Sequence, residues 1–226
     1  MKTTNDDRNI VWHNGTISRA CRANLVGHKS IVLWFTGLSG CGKSTTAYAL
    51  EKRLYQDNYH AFVLDGDNIR HGLCDDLDFS DTGREENIRR VSEVSKLFID
   101  AGIIILAAFI SPFKSDRDKI REIVGPENFV EVYCRCSIKE CTKRDVKGLY
   151  RRAIKGEIEN FTGISSSSPY EEPLNPEIVI DTANNSLGKN IEQIVDFLAQ
   201  RGIYEQKNYE SYMYTSDYYR SNVVHC

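Results

Sequence analysis

No stretch of this 226-residue chain is apolar for long enough to cross a bilayer: the longest such run, Ile103 to Ile110, falls far short of the roughly 20 residues required. Its first residues, Met1-Lys2-Thr3-Thr4-Asn5-Asp6-Asp7, lack the hydrophobic stretch of a secretory leader, and their acidic pair suits an organelle transit segment poorly. Neither sign of charge dominates. With 29 Lys and Arg against 32 Asp and Glu, the net charge is −3, which argues against wholesale nucleic-acid coating or polybasic membrane attachment. The cysteines number seven, an odd count in a chain of a length that buries roughly 70–75% of its unfolded surface without staples. Reduced thiols in a reducing compartment follow, and the cytoplasm is expected. The sequons Asn14-Gly15-Thr16 and Asn160-Phe161-Thr162 then carry no meaning. Hydrophobic residues at 41% and charged ones at 27% exclude a disordered chain.

What is present alternates between two periodicities. Ile31 to Thr36 is nearly all apolar, as a strand buried on both faces should be. Further strands are expected at Ala61 to Leu64, Ile103 to Ile110, Phe129 to Cys134 and Ile178 to Ile180. Helical spacing runs from Ser44 to Asp57 through Ala47, Leu50 and Leu54, and from Arg84 to Ala101 through Ile88, Val91, Val94 and Phe98, stopping at Gly102. A last helix carries Ile191, Ile194, Val195 and Leu198. Strand, helix, strand in this rhythm implies right-handed crossovers: an α/β fold with a five-stranded parallel sheet and helices on both faces. Such sheets bind ligands beyond the C-terminal ends of their strands. Two stretches break the rhythm. Lys143 to Pro176 is polar and loop-rich, the signature of a mobile lid. The tail from Tyr204 holds six of the twelve tyrosines and could pack on the domain, join an interface or stay disordered. The expected division is an N-terminal extension packing on the core (1–28), a central domain (29–204) with its lid at about 143–176, and the tyrosine-rich tail (205–226).

Between the first strand and the first long helix lies Gly37-Leu38-Ser39-Gly40-Cys41-Gly42-Lys43-Ser44-Thr45, a full match to the P-loop pattern in its proper context. Glycines let successive backbone N–H groups turn inward around phosphate oxygens, and the helix N-terminus adds orphan donors. Lys43 reaches the β- and γ-phosphates, and the Ser44 hydroxyl can ligate Mg²⁺. The chain therefore binds a nucleoside triphosphate. Cys41 inside the loop is either a small filler or a reactive, non-catalytic thiol with a lowered pKa.

A GTPase would require a guanine-reading N/T-K-x-D element and a D-x-x-G after the third strand; neither stands where needed. The third strand ends Phe109-Ile110-Ser111-Pro112, without a Walker-B aspartate. The second ends Asp65-Gly66-Asp67-Asn68-Ile69-Arg70, where two carboxylates face the phosphate loop. They are either the capping residues of an Asx turn, or a metal-shell carboxylate beside a base for an attacking hydroxyl. Arg70 behind them suits an anionic acceptor. Arg84 and Asn87, almost one helical turn apart, face the same way. Phe79 sits among Asp75, Asp76, Asp78 and Asp81, which disfavours deep burial. Cys134, Cys136 and Cys141 match no zinc spacing and read as structural thiols.

Several motifs in order resemble the adenylylsulfate kinase family: Gly37 to Thr45, Asp65 to Gly72, Phe79-Ser80-Asp81, Arg84 to Arg90, Phe109 to Pro112, Lys147-Gly148-Leu149-Tyr150 and Phe161-Thr162-Gly163-Ile164, with Ile10 to His13 and Gly27-His28-Lys29 before them. The resemblance covers about residues 9–203. It implies a P-loop kinase that moves the ATP γ-phosphoryl to the 3′-hydroxyl of adenosine 5′-phosphosulfate, giving 3′-phosphoadenosine 5′-phosphosulfate and ADP. It implies that Lys43 with Ser44, Asp65, Asp67 and Mg²⁺ handles the donor phosphates, that Asp67 orients or deprotonates the acceptor hydroxyl, and that Lys147 closes over both. Asp67, Asn68, Arg70, Phe79, Arg84, Asn87, Ile110, Ser111, Lys147, Asn160 and Phe161 form the implied acceptor site, with Phe79 and Phe161 sandwiching the adenine. The ATP adenine is expected near Asn184 to Lys189. Ser111 is either a phosphoserine intermediate or an acceptor contact; direct in-line transfer needs no covalent step, which favours the contact. The family suggests a homodimer and, since no second catalytic domain fits in this length, a separate ATP sulfurylase as functional partner. The chain departs from the family pattern at Asn160, where glycine is usual, and in the extra serines of Ser165 to Ser168. The competing readings are a P-loop kinase for a sugar or another nucleotide, and a regulatory nucleotide-binding module without catalysis.

Overall fold

The computed structural model describes residues 10–205. Its elements run α1 (Arg19–Val26), β1 (Val32–Thr36), α2 (Lys43–Gln56), β2 (Ala61–Asp65), α3 (Gly66–Ile69), α4 (Asp81–Asp100), β3 (Ile104–Ala108), α5 (Lys114–Val124), β4 (Phe129–Arg135), α6 (Ile138–Arg144), α7 (Leu149–Ile154), β5 (Ile178–Asp181) and α8 (Leu187–Gln200). The five strands are all parallel, in the order β2-β3-β1-β4-β5. The chain leaves β1 for one side of the sheet and crosses to the other between β3 and β4. Both of those strands flank β1, so the switch point, and with it the ligand crevice, lies at the C-terminal end of β1.

Burial follows strand position. Every residue of β1 and β3 is buried, which is why both read as unbroken apolar runs. Edge strands β2 and β5 keep Phe62 and Val179 exposed. Successive β1 side chains serve opposite faces. Leu33 and Phe35 pack with Leu50 and Leu54 of α2 and Ile194 and Leu198 of α8, while Val32 and Trp34 pack with Ile88 and Val91 of α4 and Ile120 and Val124 of α5. Each such fully buried aliphatic side chain contributes about 1.5–3 kcal/mol of transfer free energy. The open side of β2 is not bare: the Val63 N–H donates to Glu51 Oε1 at 3.0 Å, and just before the strand the His60 N–H donates to His28 Nε2 at 3.1 Å.

The five expected strands and three expected helices are present within a few residues of their sequence bounds. Helix α4 starts three residues early because Ser80 caps it, its Oγ accepting from the Gly83 N–H. Helices α1, α3 and α5 were not expected from the sequence. In α5 the buried face is Asp116, Arg117, Ile120 and Val124, so charge masks the periodicity. The extension packs on the core through Arg19, which donates to Ser30 and to Asn128 Oδ1, whereas Val11 and Trp12 stand exposed. The tail tyrosines Tyr209, Tyr212, Tyr214, Tyr218 and Tyr219 lie outside the described residues. Among those described, no helix is long and apolar enough to cross a membrane.

Candidate active site

Beyond β1 the chain turns through Gly37, Gly40 and Gly42, all with positive φ, into α2. A Cβ on Gly37 would lie 2.7 Å from Cys41 Sγ and 2.8 Å from the Cys134 carbonyl, so only glycine fits. Ser18, Asp65, Ser80, Ser137 and Ser186 cap α1, α3, α4, α6 and α8 with their side chains; α2 has no such cap. Its first N–H groups are left for an anion. Lys43 is buried and donates from Nζ to the carbonyls of Gly37 (2.9 Å) and Leu38 (2.8 Å), folded back along the loop it serves. Thr182 Oγ1 donates to Cys41 O at 2.6 Å and Arg144 to Thr182 O at 2.7 Å, tying the β5–α8 loop to the P-loop. That loop, where the ATP adenine is expected, is shaped by Asp181, which accepts from the N–H groups of Ala183 and Asn184. The Asn184 side-chain amide holds the Asp181 carboxyl at about 2.

Cys41 is a filler and a perturbed thiol at once. Its side chain is fully buried, so it is not the open reactive thiol that its loop position suggests. A hydrogen bond from the Cys134 thiol, with Lys43 nearby, pulls its pKa down to about 6; Cys134, fully buried, is pushed far up. Cys136 and Cys141 are buried too, and all six described cysteines are free. Among the described residues no group of three or more His, Cys, Asp or Glu could hold a metal ion.

The two aspartates after β2 part company. Asp65 is buried, accepts from Ser44 Oγ at 2.5 Å, and with its other oxygen accepts from the Asp67 N–H at 2.9 Å. Asp65 thus caps α3 and also meets the P-loop serine. This adjacent pair of hard oxygen donors suits Mg²⁺, which takes few protein ligands beside phosphates and water. Asp67 does not join them. It is exposed and ion-paired to Lys147, so the expected three-residue metal set divides into Ser44 with Asp65 on one side and Asp67 on the other.

The lid is seated. Besides the Lys147–Asp67 pair, Tyr150 donates to Ser39 O at 2.9 Å, and Arg84 Nη2 donates to Asn160 O at 2.9 Å. Sequence reasoning missed Tyr150, a buried tyrosine whose only signal was its place in the Lys147–Tyr150 motif. Asn160 adopts φ 52°, which explains the departure from glycine: asparagine tolerates this region better than other side chains. Its Oδ1 accepts from Ser167, and Ser165 Oγ accepts from the Phe161 N–H, so the extra serines brace the lid. A Cβ on Gly163 would come within 2.8 Å of Leu38, so the lid and P-loop are in close apposition.

Of the other expected acceptor residues, Phe79 is 68% exposed and the Arg70 guanidinium lies 4.3 Å from its ring centre. Phe161 is half-buried, edge-on to Tyr150. Asn68 donates to Tyr48 OH at 3.1 Å, and the Ile110 carbonyl accepts from Thr36 Oγ1 at 2.8 Å. Two buried donors stand idle. Arg84 Nη1 has no hydrogen-bond partner, and Asn87 Nδ2 has only the Cys74 thiol, a weak acceptor, beside it. An unmet buried donor costs about 1–3 kcal/mol, more when charged. Ser111 is placed differently from expectation. Its hydroxyl is buried, accepts from Trp34 Nε1 at 3.0 Å and donates to Thr36 Oγ1 at 3.1 Å, which leaves it enclosed rather than presented to a phosphoryl group.

Residues 29–181 match the family model of adenylylsulphate kinase. The adenylyl-sulfate kinase of Acaryochloris marina is 56% identical over 195 residues, 86% of this chain and 94% of its own length. That of Prochlorococcus marinus is 54% identical over 192 residues, covering 85% and 94%. The solved Mycobacterium tuberculosis APS kinase in complex with AMPPNP and APS superposes with a TM-score of 0.73 at 41% identity, covering 76% of this chain and 99% of that one.

Proposed function

The chain belongs to the adenylylsulphate kinase family and catalyses the ATP-dependent phosphorylation of adenosine 5′-phosphosulfate; from that premise we propose how its residues divide the work. The observation that carries the assignment is the idle donor pair, Arg84 Nη1 and Asn87 Nδ2, facing an acceptor site roofed by the lid. A phosphosulfate supplies the oxygens they lack. Arg70, moving off the Phe79 ring, leaves that face to the acceptor adenine and adds a second forked cation.

On the donor side the P-loop N–H groups wrap the triphosphate, and Lys43 exchanges its two loop carbonyls for the β- and γ-phosphate oxygens. Ser44 and Asp65 would hold Mg²⁺, which would supply charge neutralisation to the phosphates. Asp67 takes the proton of the ribose 3′-hydroxyl, and Lys147, displaced from it, settles on the phosphoryl group in flight. The seated lid excludes water, so that transfer competes successfully with hydrolysis. Ser111 supports the floor of the acceptor site from within, and no phosphoserine enters the pathway. The exposed Val11, Trp12 and Leu25 provide an apolar surface for a second copy of the chain. The free thiols of the described residues fit an enzyme of a reducing compartment such as the cytoplasm.

A coupled ADP-release assay tests the assignment. ADP should appear rapidly with ATP, Mg²⁺ and adenosine 5′-phosphosulfate, and only at a trace rate without the acceptor. Equal rates with and without it would leave an ATPase and overturn the reading.

A further inference from the structure

A buried knot of polar groups lies behind the site, and none of the roles above uses its central residue. Arg117 of α5 is 3% exposed. Its Nε pairs with Glu131 of β4 at 2.7 Å, which balances the charge. The rest of the fork is spent on main chain: Nη1 donates to Ser111 O and Nη2 to Glu171 O, each at 2.8 Å. Ser111 closes the β3 exit with φ 39°, an uncommon backbone state for a residue with a side chain, and Pro112 after it narrows its choices further. Glu171 begins the return stem of the lid. The stem is stitched to the same exit by Glu171 N–H to Pro112 O (2.9 Å) and Lys114 N–H to Glu171 Oε2 (2.6 Å). Its neighbour Tyr170 places its hydroxyl 2.9 Å from Thr36 Oγ1, on the residue that precedes the P-loop.

Taking an ion out of water costs several kcal/mol, and a well-packed apolar residue often serves stability as well. What an apolar residue cannot do is fix three separate pieces of chain in one plane, which a guanidinium fork does. The three pieces are the acceptor floor at Ser111, the lid stem at Glu171 and the sheet at Glu131. We infer that Arg117 is a positioning residue for the acceptor: by clamping the lid stem to the floor it sets the height at which Phe161 and Lys147 close over adenosine 5′-phosphosulfate. The inference rests on the proposed function and adds a residue that touches neither substrate.

Arg117→Lys keeps the charge opposite Glu131, but a single ammonium cannot serve both carbonyls and the carboxylate. The KM for adenosine 5′-phosphosulfate should rise about tenfold, the order expected for one lost charge-assisted hydrogen bond, with the KM for ATP held within about twofold. Acceptor-free ATP hydrolysis should rise relative to transfer. A merely structural arginine would lower the melting temperature and leave both constants unmoved in the folded protein. That outcome, or an equal rise in both constants, overturns the inference. Tyr170→Phe, which removes only the hydroxyl facing Thr36, should shift the acceptor KM the same way by a smaller factor; it decides the matter if Arg117→Lys does not fold, and an unmoved acceptor KM counts against the clamp. A parent enzyme without turnover on adenosine 5′-phosphosulfate would fell the proposed function and the inference together, whereas an active parent with unmoved variants fells the inference alone.

Discussion

In the proposed division of work, the donor side is made of main chain and buried side chains, whereas the acceptor side is made of side chains brought from several separate segments. Gly37 to Gly42 is one continuous loop between β1 and α2, and Cys41 on it and Lys43 and Asp65 beside it are all buried. The proposed acceptor site draws Arg70 from the turn after α3, Phe79 from the loop before α4, Arg84 and Asn87 from α4, and Lys147 and Phe161 from the segment between α6 and β5. Triphosphate looks alike in every ATP enzyme and can be read by N–H groups that carry no side-chain identity. The acceptor is particular, and only side chains can specify it.

The widest separation between the halves should appear on removing their charged centres. Lys43→Ala and Asp67→Ala should each lower kcat by about 10²–10³ in the coupled assay, the usual loss for one preorganised electrostatic contact. A Lys43→Ala enzyme within a few-fold of the parent would mean that main chain alone handles the donor. Next in size, Arg84→Ala should raise the acceptor KM about ten- to hundredfold while leaving the KM for ATP unchanged. Equal rises would show that the lid bond from Arg84 to Asn160 couples the halves more tightly than their construction suggests. Phe79→Ala should cost the acceptor roughly tenfold through lost stacking, measured as affinity by calorimetry with a non-hydrolysable ATP analogue present.

The smallest effect concerns the buried thiol of the donor half. With Cys134 donating to it, Cys41 titrates near 6 in the folded state against 9.0 unfolded. Between those values the unfolded chain binds the extra proton, so stability from Cys41 is complete above pH 9 and is lost as the pH falls through 6. Cys134, pushed upward, loses its contribution only above the unfolded thiol range and does not enter this window. The denaturation midpoint of the parent should therefore gain on that of Cys41→Ser as pH rises from 6 to 9. A constant gap across the window would assign the proton to the other sulfur.

How much of this was legible depended on the kind of signal. The central strands announce themselves because both faces are buried, and the phosphate loop because its spacing and context coincide. The identity of the acceptor residues came with the family resemblance, since Phe79, Arg84 and Phe161 share no periodicity. Asp65 and Asp67 could be placed at one strand tip, and the resemblance gave Asp67 the acceptor hydroxyl, but both were put in the metal set; in the fold Ser44 takes one and Lys147 the other. Ser111 looked like a cleft residue because it ends a strand at the ligand-binding edge; the Trp34 indole and the Thr36 hydroxyl instead draw it inward. Arg117 was invisible, because a buried arginine within Lys-Ser-Asp-Arg-Asp-Lys reads as one more surface charge.

The carboxylate of Glu51 lying against the Val63 amide reaches past catalysis. A sheet margin with a free amide is an invitation to any extended peptide, in a crowded cell most often a half-made copy of the same polypeptide. Here a neighbouring helix supplies the missing acceptor, and with it a negative charge that a visiting strand would have to displace. The enzyme thus guards against fibrous self-association with a residue that has no part in moving phosphate.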